Sequence, residues 1–66
     1  MILTPRQAQI MAMLARGLPL KCVAMDIGIG YGNCKVQLHR IRRNNGLRSN
    51  DEVRRVALRE FKQAAR

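Results

Sequence analysis

Between Asp26 and Asp51 this chain carries no acidic residue, and within that span residues 33–49 read Asn-Cys-Lys-Val-Gln-Leu-His-Arg-Ile-Arg-Arg-Asn-Asn-Gly-Leu-Arg-Ser. Cys34, Leu38 and Ile41 recur at i, i+4 and i+7, the spacing that puts side chains on one face of a helix. Lys35, His39, Arg40 and Arg43 occupy much of the surface left over. A helix divided in this way buries one side on a core and turns a cationic side, neutralised by nothing nearby in sequence, toward a polyanion.

The remainder of the chain must supply that core, and it has little with which to do so. At 66 residues it is expected to be a single domain near the lower size limit for a self-sufficient core. Tyr31 and Phe61 are the only aromatic residues, so Leu, Ile, Val, Met and Ala packed between helices have to exclude the water. Part of the stability is expected to come from a partner chain or ligand. Neither a cofactor-binding fold nor a catalytic centre fits: there is no paired carboxylate set, no nucleophile–base pair and no metal set, so no enzyme and no cofactor is expected. Cys22 and Cys34 form no CxxC pair, and His39 is the sole histidine, which rules out a four-ligand zinc site. Cys34 lies on the apolar stripe and should pack as a small hydrophobe, whereas Cys22 should face solvent as a free thiol. With no apolar run of 18 residues and no signal-peptide pattern, the expectation is a soluble cytoplasmic protein with no membrane partner.

The charge of +9 is unevenly placed. Residues 1–30 carry Arg6, Arg16 and Lys21 against Asp26, a net of +2, whereas residues 31–66 carry ten Lys or Arg against Asp51, Glu52 and Glu60, a net of +7. An excess of that sign in so small a chain points to nucleic acid before membrane or acidic protein. Cationic surface alone gives only salt-sensitive, non-specific binding.

Punctuation residues divide the chain into four helices. In Thr4-Pro5-Arg6-Gln7, Thr4 can cap the amide of residue 7, Gln7 can reach back, and Pro5 suits the first helical position. Ile10, Met11 and Leu14 should face inward, with Gly17 ending the helix. Pro19 opens a shorter helix to about Ile27 that buries Val23, Ala24 and Ile27. Gly28-Ile29-Gly30 forms a tight turn with Ile29 beneath it, and a third helix runs from about Tyr31 to Asn45. Gly46 should terminate it in a left-handed conformation, with Leu47 folding back on Ile41. Ser49-Asn50-Asp51-Glu52 has the form of a second capping box, launching a fourth helix to about Ala64. No strand pattern occurs. Gly28, Gly30 and Gly32 have the spacing of a nucleotide-binding loop, but no strand precedes them. A short helix, a glycine turn and a basic helix in this order make a helix-turn-helix over about residues 19–45.

With these elements placed, Leu3-Thr4-Pro5-Arg6, Leu14-Ala15-Arg16-Gly17-Leu18, Lys21-Cys22-Val23-Ala24, Gly28-Ile29, Lys35-Val36-Gln37-Leu38 and Gly46-Leu47-Arg48-Ser49 together closely resemble the LuxR/GerE-type DNA-binding domain. The likeness runs from about Leu3 to Leu58. It implies an all-α fold of four helices, the second and third forming the helix-turn-helix and the fourth mediating dimerisation. It further implies base contacts from Lys35, Val36 and His39, and phosphate contacts from Lys21, Tyr31, Asn33, Arg40 and Arg43. Lys35 can donate to guanine and Val36 can touch a thymine methyl. The chain departs from the family pattern at Gly30-Tyr31-Gly32, where a Ser cap and a polar first turn are usual, and at Asn45, where relatives commonly place Leu.

On the fourth helix Val53, Val56, Ala57 and Phe61 form a stripe that is expected to exceed what one small core needs, and hence to join two copies. Such a dimer would set two recognition helices one DNA turn apart on an inverted repeat of double-stranded DNA. The leading expectation is therefore a small, dimeric, sequence-specific transcription regulator, associated with the nucleoid of a prokaryotic cell or its virus. RNA polymerase would be a further possible partner. An alternative is an interaction module that pairs with a full-length LuxR-type regulator and antagonises it; that role needs the fourth helix but not Lys35 or Val36. A relative of sigma-factor region four would share the helix-turn-helix, but the fourth helix argues against it.

Overall fold

The computed structural model describes residues 1–61. Four helices follow one another: α1 (Pro5–Ala15), α2 (Leu20–Ile27), α3 (Tyr31–Asn44) and α4 (Asn50–Phe61). No strand occurs among the described residues. α4 packs principally on α1 and α2 principally on α3, and the two pairs share one core.

α1 begins as its sequence predicts. The Gln7 amide donates to Thr4 Oγ1 at 3.1 Å, and the Thr4 amide donates to Gln7 Oε1 at 3.1 Å. This reciprocal box satisfies two amides that the first turn leaves without helical partners. The Gln7 side chain is almost wholly buried and also donates from Nε2 to Gln37 Oε1 at 3.2 Å, tying α1 to α3. Ile10, Met11 and Leu14 point inward and are buried.

α2 starts after Pro19 without a side-chain cap and buries Val23 and Ala24, while Ile27 is only half-buried. Gly28 closes it at φ +85°, where a Cβ would strain the backbone, and the amides of Gly28 and Ile29 both reach Ala24 O. Ile29, half-buried, packs against the core from this turn. α3 starts at Tyr31 with Gly30 as an uncapped N-cap and ends at Asn44, one residue short of expectation. Its C-terminus is a Schellman arrangement, with Gly46 at φ +65° and the Leu47 amide donating to Arg42 O at 2.9 Å. Leu47 packs against the core, as expected of that motif.

Two expectations need correction here. The Ser49 hydroxyl does cap α4, accepting from the Glu52 amide at 3.1 Å, but the Glu52 carboxylate accepts from the Arg48 amide at 2.6 Å and so makes no reciprocal box with Ser49. The α4 stripe is also not in excess of the core. Val53 and Ala57 are 0 % exposed and Val56 is 7 % exposed within a single chain, because α1 lies across them. Phe61 is half-buried against the same cluster, and the apolar surface that α4 leaves open is Leu58, 46 % exposed. The expected extension of α4 to Ala64 lies outside the described residues.

Asn45, which removes an apolar anchor, serves another purpose. Its Nδ2 donates to Ile41 O at 2.9 Å and to Ile2 O at 3.0 Å, and its Oδ1 accepts from the Ile2 amide at 2.6 Å. The segment before α1 is thereby held to the end of α3.

Candidate nucleic-acid interface

α3 advances about 100° per residue, and that rotation alone sorts its side chains. Cys34, Leu38 and Ile41 fall on one side and are buried. Burial pushes the Cys34 thiol above its ordinary pKa, since the surrounding apolar groups disfavour the thiolate. Lys35, Val36, His39 and Arg43 share an outward arc of about 100°, and all four are exposed. Tyr31 flanks the arc on one edge, Asn33 and Arg40 on the other, and these three are exposed too. The base-reading candidates thus share the middle of the outward face with Arg43, while the phosphate candidates Tyr31, Asn33 and Arg40 stand at its margins.

Several of these side chains meet. Tyr31 gathers two cations from different helices: Lys35 Nζ lies 4.9 Å from its ring centroid and Lys21 Nζ, from α2, lies 6.0 Å away. The first distance is well inside the range of a cation–π attraction and the second at its limit. The ring bridges the two helices of the motif at the point where α3 begins. Val36, His39, Arg40 and Arg43 line one shallow depression with Asn44. Asn33, in the first turn, stands on the same edge as Arg40 and one turn before Val36. Val36 is 47 % exposed, an apolar side chain held toward solvent amid cations.

Two arginines escaped the sequence reading. Arg42 donates from Nη2 to Arg48 O at 2.8 Å, bracing the turn between α3 and α4. Arg54 donates from Nη1 to Leu18 O at 3.0 Å, bracing the connection between α1 and α2. Each binds a backbone carbonyl rather than a carboxylate, so the turns are fixed without loss of positive charge. Arg42 stands seven residues after Lys35, a helical spacing that places it beside the cationic arc; Arg54 offers no comparable signal.

The geometry is that of a helix-turn-helix domain: an uncapped short helix, a turn through a left-handed glycine, and a second helix presenting donors outward from a shared core. Among the described residues no group of three His, Cys, Asp or Glu is placed to hold a metal, and no helix is long and apolar enough to cross a membrane. The model of the GerE family, bacterial regulatory proteins of the luxR family, matches residues 1–57, and the chain belongs to that family. It is a family of DNA-binding helix-turn-helix regulators, not of enzymes. No curated protein and no solved structure matches the chain.

Proposed function

We propose that this protein is a sequence-specific transcription regulator that lays α3 in the DNA major groove. Residues 1–66 act in this reading as one domain, with the motif over 19–45. Lys35, Val36 and His39 meet base edges, while Lys21, Tyr31, Asn33, Arg40 and Arg43 meet phosphates and set the register. The observation that carries the reading is the exposed arc of α3. It joins two cations, Lys35 and Arg43, and the His39 imidazole to one exposed valine, and a surface meant only to be solvated gains nothing from that valine.

Two copies are proposed to meet along α4 on an inverted repeat. Of the residues first expected there, Val53 and Ala57 are already covered by α1, which leaves Leu58 with the edges of Val56 and Phe61 as the meeting surface. The same surface would serve the antagonist alternative, which dispenses with Lys35 and Val36.

Selection of bound sites from random duplex DNA, followed by titration of the preferred site against unrelated duplex, tests this function. Lys35→Ala is expected to cost about 1–3 kcal/mol on the preferred site and little on unrelated DNA, whereas Arg43→Ala weakens both about equally. Binding is also expected to fall steeply with salt as Lys and Arg displace condensed counterions. Equal losses on both duplexes for Lys35→Ala would sink the base-reading role. An unaltered preferred-site affinity in that variant would favour the antagonist alternative.

A further inference from the structure

A cleft of about 250 Å³ opens where all four helices approach one another, beside the Tyr31 edge of the α3 arc. Its apolar wall comes from Leu14, Leu20 and Leu38. Its polar wall comes from Lys35, His39, Arg42 and Arg54, and among the described residues no carboxylate lines it. Both arginines are already oriented by backbone carbonyls, Arg48 O and Leu18 O. A guanidinium has five donors, so each keeps several for another acceptor. Arg42 Nε in particular is buried and has no acceptor among the described residues.

From this we infer that the cleft binds a small organic anion with an apolar, preferably aromatic, body. The volume equals that of roughly eight waters in the liquid, so the occupant has about eight to twelve heavy atoms. The two walls specify its chemistry. A fully hydrated oxyanion leaves the leucines against water, and a neutral hydrocarbon leaves the arginines without an acceptor. A carboxylate or phosphate on a flat ring satisfies both walls, with Tyr31 at the rim. Lys35 and His39 belong to this cleft and also to the proposed base-reading arc, so an occupant engages side chains that DNA requires. Ligand and duplex then exclude one another. That exclusion rests on the proposed DNA reading; the binding site itself does not.

Phenyl phosphate is the probe, added without DNA to the ¹⁵N-labelled protein and followed by amide shifts. Saturable shifts are expected near Leu38, Arg42 and Arg54, with a Kd of roughly 0.1–1 mM. Phenol, which lacks the anion, and inorganic phosphate, which lacks the ring, should each bind at least tenfold more weakly. Arg54→Met, which keeps the aliphatic stem, should also weaken phenyl phosphate at least tenfold. Lys35→Met, at an exposed position that does not support the fold, should weaken it several-fold and serves as a second test if Arg54→Met fails to fold. Absence of saturation up to about 20 mM, equal binding of inorganic phosphate, or undiminished binding in either folded variant would overturn the site. In a second titration at constant ionic strength, phenyl phosphate should weaken preferred-duplex binding several-fold where phenol does not. Full occupancy with unchanged duplex affinity would overturn the exclusion and leave the site standing.

Discussion

The α1–α4 half and the α2–α3 half of this molecule are built to different standards. α1 has a reciprocal capping box and α4 a serine cap, and their facing side chains are sealed from water. α2 and α3 begin at Pro19 and Gly30 with no side-chain cap, and α3 carries Gly32 in its first turn. α3 carries Lys35, Arg40, Arg42 and Arg43 with no acidic residue, and the exposed valine besides, whereas α4 sets Arg54, Arg55 and Arg59 against Asp51, Glu52 and Glu60. Helix capping is thus strongest in the half that seals the core, while the half that presents donors outward tolerates weaker helix starts. The α2–α3 half is tied to the other half through Gln7–Gln37 and Arg54–Leu18.

The largest test of this division is packing. Ile10→Ala, at a fully buried position on α1, should cost about 2–5 kcal/mol. A domain of this length has a total stability of only about 3–10 kcal/mol, so chemical denaturation should show a midpoint lowered by a large fraction of the parent's value. Val36→Ala on α3 should stay within about 0.5 kcal/mol of the parent. Comparable losses in the two variants would abolish the distinction between a supporting half and a presenting half.

Helix starts sharpen the same contrast at smaller magnitude. Removing the Thr4 hydroxyl in Thr4→Ala should cost about 1 kcal/mol. Gly32→Ala should instead stabilise, by up to about 1 kcal/mol, because a Cβ there meets nothing within 4 Å. Opposite signs in melting temperature are the expected readout. A destabilised Gly32→Ala protein would mean that the start of α3 is already at its local optimum.

The smallest expected effect concerns pH. Cys34 is the buried thiol, and its folded pKa is raised by burial. The stability linked to it is fully present below the unfolded thiol's value and is lost as pH rises through that value toward the folded one. In a Cys22→Ser background, alkaline denaturation titrations should therefore show a decline that Cys34→Ala removes. Equal slopes in the two proteins would assign alkaline destabilisation to other groups.

Most of the fold was legible because its signals are local. Thr4-Pro5-Arg6-Gln7, Gly28 and Gly46-Leu47 each dictate backbone geometry within a few residues, and the structure follows them. The outward arc of α3 was legible for the same reason, being helical periodicity applied to charge. What sequence could not supply is pairing over distance. Arg54 finds Leu18 across 36 positions and Gln7 finds Gln37 across 30, and nothing in either local pattern announces a partner. The α4 stripe was misjudged for a related reason: periodicity defines its width, but only the placement of α1 decides how much of it remains uncovered.

The clasp between Asn45 and Ile2 recognises a peptide unit and not a side chain. One carboxamide takes both the amide hydrogen and the carbonyl oxygen of Ile2, as a neighbouring strand would, while the Ile2 side chain stands 70 % exposed. Substitution at position 2 is therefore nearly free of chemical restriction, with proline the exception because it has no hydrogen to donate. The leading segment is fastened to the far end of α3 by a contact that leaves the residue at position 2 free to drift through evolution.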